Sequence, residues 1–221
     1  MPCRQGGWIM RTLAKARTAS IARRQALLFA VASIVSACAT PGTTRPMQVE
    51  TRDESGFTIT EEVHVSAETR AAFDDAVRLL EQEQYDSGIA LLLEVTEAAP
   101  QVTTAHIDLG IAYGRVNDLE RAEASMKRAL ELNPHHPVAH NELGILYRRS
   151  GRFEKARKSY EKALAGYPHF HFARRNLAIL CDVYLSDMKC ALKHYELYTQ
   201  AVPDDGAAAM WKADLSNRVG R

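Results

Sequence analysis

From Thr69 onward the apolar residues recur every three or four positions in stretches of about a dozen, the spacing of one helix face. The stretches come in pairs, and the pairs repeat. Units begin at Thr69, Thr103, Pro137 and His171, 34 residues apart. A small residue recurs early in each unit (Ala76, Gly110, Gly144, Ala178) and a second one later (Gly88, Ala122, Ala156, Ala191). Between and after them stand two columns of bulkier residues: Leu79, Tyr113, Tyr147 and Cys181, then Leu92, Met126, Tyr160 and Tyr195. Asn117-Asp118, Ser150-Gly151 and Ser186-Asp187 fall between the two halves of a unit and read as turns. Pro100, Pro134 and Pro168, and Pro203 after a one-residue slip, stop the second helix of each unit. The pattern predicts four helix–turn–helix units. The small residues let paired helices approach, and the larger ones fill the space that remains.

A single such hairpin cannot bury its apolar faces alone, so the units must stack into a rod with contacts between neighbours. After Pro203, Asp204 or Asp205 offers an N-cap, and Trp211, Leu215 and Val219 form an apolar line. Residues 204–221 therefore read as a capping helix and tail covering unit four. Leu109-Gly110-x-x-Tyr113 and Leu143-Gly144-x-x-Tyr147, in a period of this length, resemble the tetratricopeptide repeat. The resemblance covers about residues 69–203. It implies an all-α fold, an α-solenoid of about four helix–turn–helix repeats over 68–203 with a C-terminal capping helix. Two units depart from the pattern. Unit one has Asp75-Ala76 in place of the Leu-Gly pair. Unit four carries an inserted residue before Ser186, and has Tyr198 where the others have Val95, Ala129 and Ala163.

Upstream the periodicity stops. Residues 39–55 hold Pro, Gly, Thr and charges with little to bury, and residues 38–67 read as a flexible tether. As coil it spans roughly 30 Å. Within it Phe57, Ile59, Val63 and Val65 alternate, which predicts a short extended strand at 56–65.

The first 37 residues change the reading of charge and location. They carry Arg4, Arg11, Lys15, Arg17, Arg23 and Arg24 and no acid, then an apolar run from Ala26 to Val35 ending in small residues. That is the layout of a signal peptide over 1–37, and the run is short of the roughly 20 apolar residues of a spanning helix. Translation starts at either Met1 or Met10. Val35-Ser36-Ala37-Cys38 resembles the lipobox of bacterial lipoproteins. The resemblance implies lipidation at Cys38 by acyl chains such as palmitate, and each buried methylene adds about 0.8 kcal/mol to membrane attachment. With Ala39 after the cysteine, it implies the outer membrane, facing the periplasm. The formal charge of the whole chain is +1, but without residues 1–37 the chain has 22 basic against 27 acidic residues. An acidic chain of this kind excludes nucleic acid as the expected partner, because phosphate binding needs a basic field.

Candidate chemistry is sparse. His135-His136-x-x-x-His140 packs three imidazoles into six residues, but Pro137 opens a helix, so His136 lies outside it and shares no face with His140. His140 stands in the same column as His106 and reads as a half-buried filler. His169 and His171 occupy the next corner. No zinc-ligand spacing, Gly-x-Ser-x-Gly elbow or phosphate-binding Gly-rich loop occurs, so neither a metal, a cofactor nor an enzyme activity is expected. Cys181 and Cys190 flank the turn of unit four and either form a disulfide or pack as two thiols.

Tetratricopeptide arrays resemble one another in holding peptides or protein segments along a concave groove lined by the first helices. Carried onto this chain column by column, the groove presents Val77, Ile111, Ile145 and Ile179 as an apolar line. Asn141 and Arg175 lie beside it, and Arg115, Arg148 and Arg149 near the helix ends. Arginine forks pair well with carboxylates, so the expected ligand has apolar anchors and some acidic character. The resemblance implies a scaffold that assembles or recruits an envelope complex. Alternatives are a pilotin-like assembly factor for a type IV pilus or secretin, or an adaptor for cell-wall enzymes or a TonB-type transport complex.

Overall fold

Each unit folds as two antiparallel helices, and the pairs stack in chain order. The computed structural model describes residues 46–52 and 58–220. Repeat 1 is α1 (Ala67–Glu81) with α2 (Tyr85–Ala98), and repeat 2 is α3 (Thr103–Arg115) with α4 (Leu119–Leu132). Repeat 3 is α5 (Pro137–Arg149) with α6 (Phe153–Gly166). Repeat 4 is α7 (His171–Ile179), continued by a π turn (Leu180–Tyr184), with α8 (Met188–Ala201); α9 (Gly206–Val219) packs on α8. The all-α solenoid of four repeats and a cap is therefore what the period encodes.

The small residues do what their positions require. A Cβ on Gly110 would stand 2.9 Å from Met126 Cε, and one on Gly144 would stand 2.5 Å from the Tyr160 ring. Met126 and Tyr160 are themselves wholly buried, as are Leu92 and, nearly so, Tyr195, the other members of their column. The helices reverse through one left-handed residue per repeat: Glu83, Asn117, Gly151 and Ser186, with φ of 60°, 66°, 73° and 52°. Side chains then open the next helix. Ser66, Asp118, Asp187 and Asp205 each accept a hydrogen bond from the amide three residues on, satisfying donors a helix start leaves free.

The departures in unit four have structural outlets. The inserted residue widens the end of α7 into the π turn, with Leu185 N–H bonded to Leu180 O at 3.1 Å and Asp187 N–H to Cys181 O at 2.8 Å. Tyr198 is buried, and its hydroxyl donates to Asp205 Oδ2 at 2.9 Å, tying α8 to the cap of α9. Along α9, Leu215 is buried and Trp211 partly so, but Val219 is exposed, so the expected apolar line ends one turn early.

One expectation is overturned. Pro46–Arg52 is not tether but strand β1, paired antiparallel with β2 (Thr58–His64) in a register from Pro46 opposite His64 to Arg52 opposite Thr58. The alternation in β2 carries Val63 into the core, with Val65 just beyond it. A strand brought against a core in this way must satisfy its backbone groups, and β1 supplies the partners. The signal segment 1–37 and Cys38 lie outside the described residues. Among the described residues no helix is long and apolar enough to cross a membrane.

Candidate functional site

The first helices of repeats 2, 3 and 4 leave a groove of about 660 Å³ along one face of the stack. Its floor is the aliphatic line Ile111, Ile145 and Ile179, one residue from each of α3, α5 and α7, all half-buried. They line up because each follows the small residue of its unit, 34 residues after the last. The fourth member of that column, Val77, does not line the groove. It is 7% exposed and belongs to the core.

Polar groups rim the floor. Asn141 is buried; its Oδ1 accepts from Asn176 Nδ2 at 2.9 Å, linking α5 to α7, and its Nδ2 donates to Glu142 at 3.0 Å. Glu142 is in the wall, and burial raises its carboxyl to about 7 against the opposing pull of Asn141 and of the Arg115 charge. The four arginines expected at the groove all line it, but they are not equivalent. Arg149 donates to Gly114 O at 2.7 Å and to Asn117 Oδ1 at 2.9 Å, closing the end of α3. Arg175 lies 3.4 Å from Asp205 Oδ2 and over the Trp211 ring at 5.3 Å, which fastens the cap helix. These two are structural ties rather than open cations. Arg115 is exposed beside Glu142. Arg148 keeps a buried Nε without a hydrogen-bond partner, and its guanidinium sits 5.9 Å from the Tyr184 ring.

Sequence reasoning missed Glu142, Asn176, Phe172, Val183, Tyr184 and Trp211. Glu142 and Asn176 do carry a signal, since they stand 34 residues apart in one column with Asp108. Val183 and Tyr184 carry none, because the π turn aims them at the groove and no periodic column foretells it. Tyr184 stacks on Phe153 with ring centroids 4.9 Å apart. Among the described residues lining the groove, none is Ser, Cys, His or Lys.

The sulfurs of Cys181 and Cys190 are bonded, which joins the π turn to the first turn of α8. Arg157 bridges to Asp187 at 2.7 Å beside them. The histidines are likewise engaged. His140 Nε2 is 2.9 Å from Pro134 O and His106 Nε2 is 3.0 Å from Pro100 O. His136 caps α5, its Nδ1 accepting from Ala139 N–H at 3.4 Å. His135 is exposed at the corner. The His136 and His140 imidazoles thus turn to different backbone groups, while His135 stays exposed.

Residues 107–169, the heart of repeats 2 and 3, match the sequence profile of the tetratricopeptide repeat. The array is a tetratricopeptide repeat fold. No curated protein sequence matches the chain. Solved tetratricopeptide structures resemble it closely in shape and weakly in sequence. MamA from Desulfovibrio magneticus RS-1, residue 41 to its end, superposes with a TM-score of 0.63 at 16% identity, over 71% of this chain and 88% of that one. PilF of Pseudomonas aeruginosa gives 0.62 at 18% identity, over 68% of each chain. The first tetratricopeptide domain of Spaghetti (RPAP3), solved bound to the HSP90 peptide SRMEEVD, gives 0.52 at 22% identity over 56% of this chain and 98% of that one.

Proposed function

We propose that this chain is a non-catalytic, lipid-anchored scaffold that holds a segment of a protein partner in the groove of repeats 2–4 and so recruits or assembles an envelope complex. The observation that carries the reading is the groove itself. An aliphatic floor of Ile111, Ile145 and Ile179 is flanked by Arg115 and Arg148, the two groove arginines that make, among the described residues, no ion pair or carbonyl bond like those of Arg149 and Arg175. Such a surface suits a segment with apolar anchors and carboxylates. The Spaghetti domain, of like fold, was solved with a peptide containing two glutamates and an aspartate. The anchor rests on sequence: the apolar run to Val35 and the Val35-Ser36-Ala37-Cys38 motif favour an acylated Cys38 and an outer-membrane position facing the periplasm.

In-cell crosslinking with mass spectrometry identifies the partner, whether a pilus or secretin subunit, a cell-wall enzyme or a TonB-type component. Ile145→Glu combined with Arg115→Glu then abolishes capture of that partner while helical circular dichroism is retained. Capture that survives rejects the groove. Cys38→Ser moves the protein from membrane to soluble fractions; unchanged fractionation rejects the anchor.

A further inference from the structure

The groove stops short of repeat 1, although the first helices continue the same face there. What lies against that end comes from the chain itself. Glu61, on β2, sits across the start of α3: one carboxylate oxygen accepts from Thr103 N–H at 3.2 Å, the other from Thr104 N–H and Thr104 Oγ1 at 3.4 Å each. Val63 and Val65 follow at the i+2 spacing of one strand face. Both are buried in the same cluster as Val77 and Ile107. Val77, the groove-column residue that the open groove lacks, is buried in that cluster.

The covered surface does not have the finish of a permanent core. Thr104 and Asp108 stand one turn apart on α3, hence on one stripe of the helix. Asp108 is 4% exposed, and its Oδ2 has no hydrogen-bond partner. Buried polar atoms are nearly always satisfied, so this unpaired carboxyl oxygen is a point where a ligand donor would add a bond that the hairpin does not make. The residue 34 positions on, Glu142, lies in the open groove wall.

We propose that the β1–β2 hairpin is a displaceable strap seated on the repeat 1–2 end of the concave face, and that this end takes, in its place, an extended partner segment of the same chemistry: alternating aliphatic side chains with a glutamate for the α3 amides. The strap's own strand is the evidence for that chemistry, since it already satisfies the Thr103 and Thr104 donors and buries two valines. The inference rests on the groove reading above and adds to it a regulated second half.

The test uses the full chain and a labelled synthetic peptide, TITEEVHVS, which reproduces residues 58–66. In the Glu61→Ala protein the Thr103 and Thr104 amides exchange hydrogen at least ~10-fold faster than in the wild type, and the peptide binds at least ~10-fold tighter because the seat is free. A peptide carrying the same Glu61→Ala change loses that gain. Glu61→Gln, which keeps one acceptor oxygen, falls between the two and serves if Glu61→Ala does not fold. Unchanged exchange shows that Glu61 does not hold the strap. Faster exchange without peptide capture shows that the seat does not recognise such a strand. Either result overturns the proposal. Ile145→Glu with Arg115→Glu leaves peptide capture intact, so failure of the open groove and failure of the strap are told apart.

Discussion

His140 points its Nε2 at the carbonyl oxygen of Pro134, six residues earlier, at 2.9 Å. His106 does the same to Pro100 at 3.0 Å in the preceding repeat, and Arg174 reaches Pro168 O in the following one. The contact is thus a recurring staple across the corner between repeats. It fixes the tautomer: the carbonyl accepts, so the proton is on Nε2. His140→Leu keeps the bulk and removes the bond. Loss of about 1 kcal/mol is expected in urea unfolding, the size of one net hydrogen bond, and His106→Leu should behave alike.

Acid should weaken the fold through these imidazoles. Burial lowers His106 and His140, and takes His136 and His194 down to about 4. The unfolded chain therefore takes up protons first as pH falls below about 6.5, and stability falls from there toward pH 4. His136 has a second reason, since its Nδ1 must stay bare to accept from Ala139 N–H. His136→Asn keeps an acceptor for the cap without titrating. Urea midpoints measured from pH 7 down to 4 should fall less steeply for this variant than for the wild type.

Base acts through a different residue and with the opposite sign. Burial without a partner raises Asp108 to about 8, well above an unfolded aspartate. The folded chain keeps that proton where the unfolded one releases it, so this contribution is present at low pH and is lost as pH rises toward 8. As pH rises past neutrality the unfolded chain finishes releasing the protons of the four lowered imidazoles, and the raised carboxyls of Asp108 and Glu142 then pull stability down. Asp108→Asn should flatten the decline between pH 6.5 and 8.5 in the same unfolding assay. A wild-type curve already flat in that range would contradict the burial of a protonated carboxyl.

The repeats were legible because periodic constraints write themselves into the sequence. Ala76, Gly110, Gly144 and Ala178 must be small, and Leu92, Met126, Tyr160 and Tyr195 must be large, for one and the same reason in every unit. Three helix boundaries coincide with the unit starts at Thr103, Pro137 and His171. The groove floor was legible on the same ground, as three of the four aliphatics lie where the period puts them. What failed was not periodic. Val77 is buried in the core that β2 also enters, and residues outside the repeat carry no column from which that could be read. Pro46–Arg52 has turn-like composition and becomes a strand through pairing with β2, a tertiary cause. Arg149 and Arg175 look like free cations in the chain and are ties in the fold, because their acceptors, Gly114 O and Asp205, belong to neighbouring elements.

The helix approach in repeat 3 makes a sharp demand on one position. A methyl on Gly144 would come within 2.5 Å of Tyr160 Cε1, and the ring is fully buried. Gly144→Ala, which would raise intrinsic helix propensity, should instead cost about 1–3 kcal/mol by overpacking. Gly206 meets nothing within 4 Å, so Gly206→Ala should leave the melting temperature near the wild-type value. Thermal unfolding of the two alanine variants side by side separates packing from propensity.

The bond between Cys181 and Cys190 closes a short loop around the turn of repeat 4, with nine residues of separation. Removing such a link restores freedom chiefly to the unfolded chain, a loss of about 2–3 kcal/mol for a loop this size. Its position gives it a second effect. The π turn that it holds carries Asp182, Val183 and Tyr184 into the groove wall, with Val183 62% exposed. Paired Cys181→Ser and Cys190→Ser changes, or reductant on the wild type, should lower the melting temperature and also loosen that wall. Partner capture should therefore fall several-fold at a temperature where circular dichroism still reports a folded array. Capture that tracks only the folded fraction would assign the bond to stability alone and remove the π turn from the binding surface.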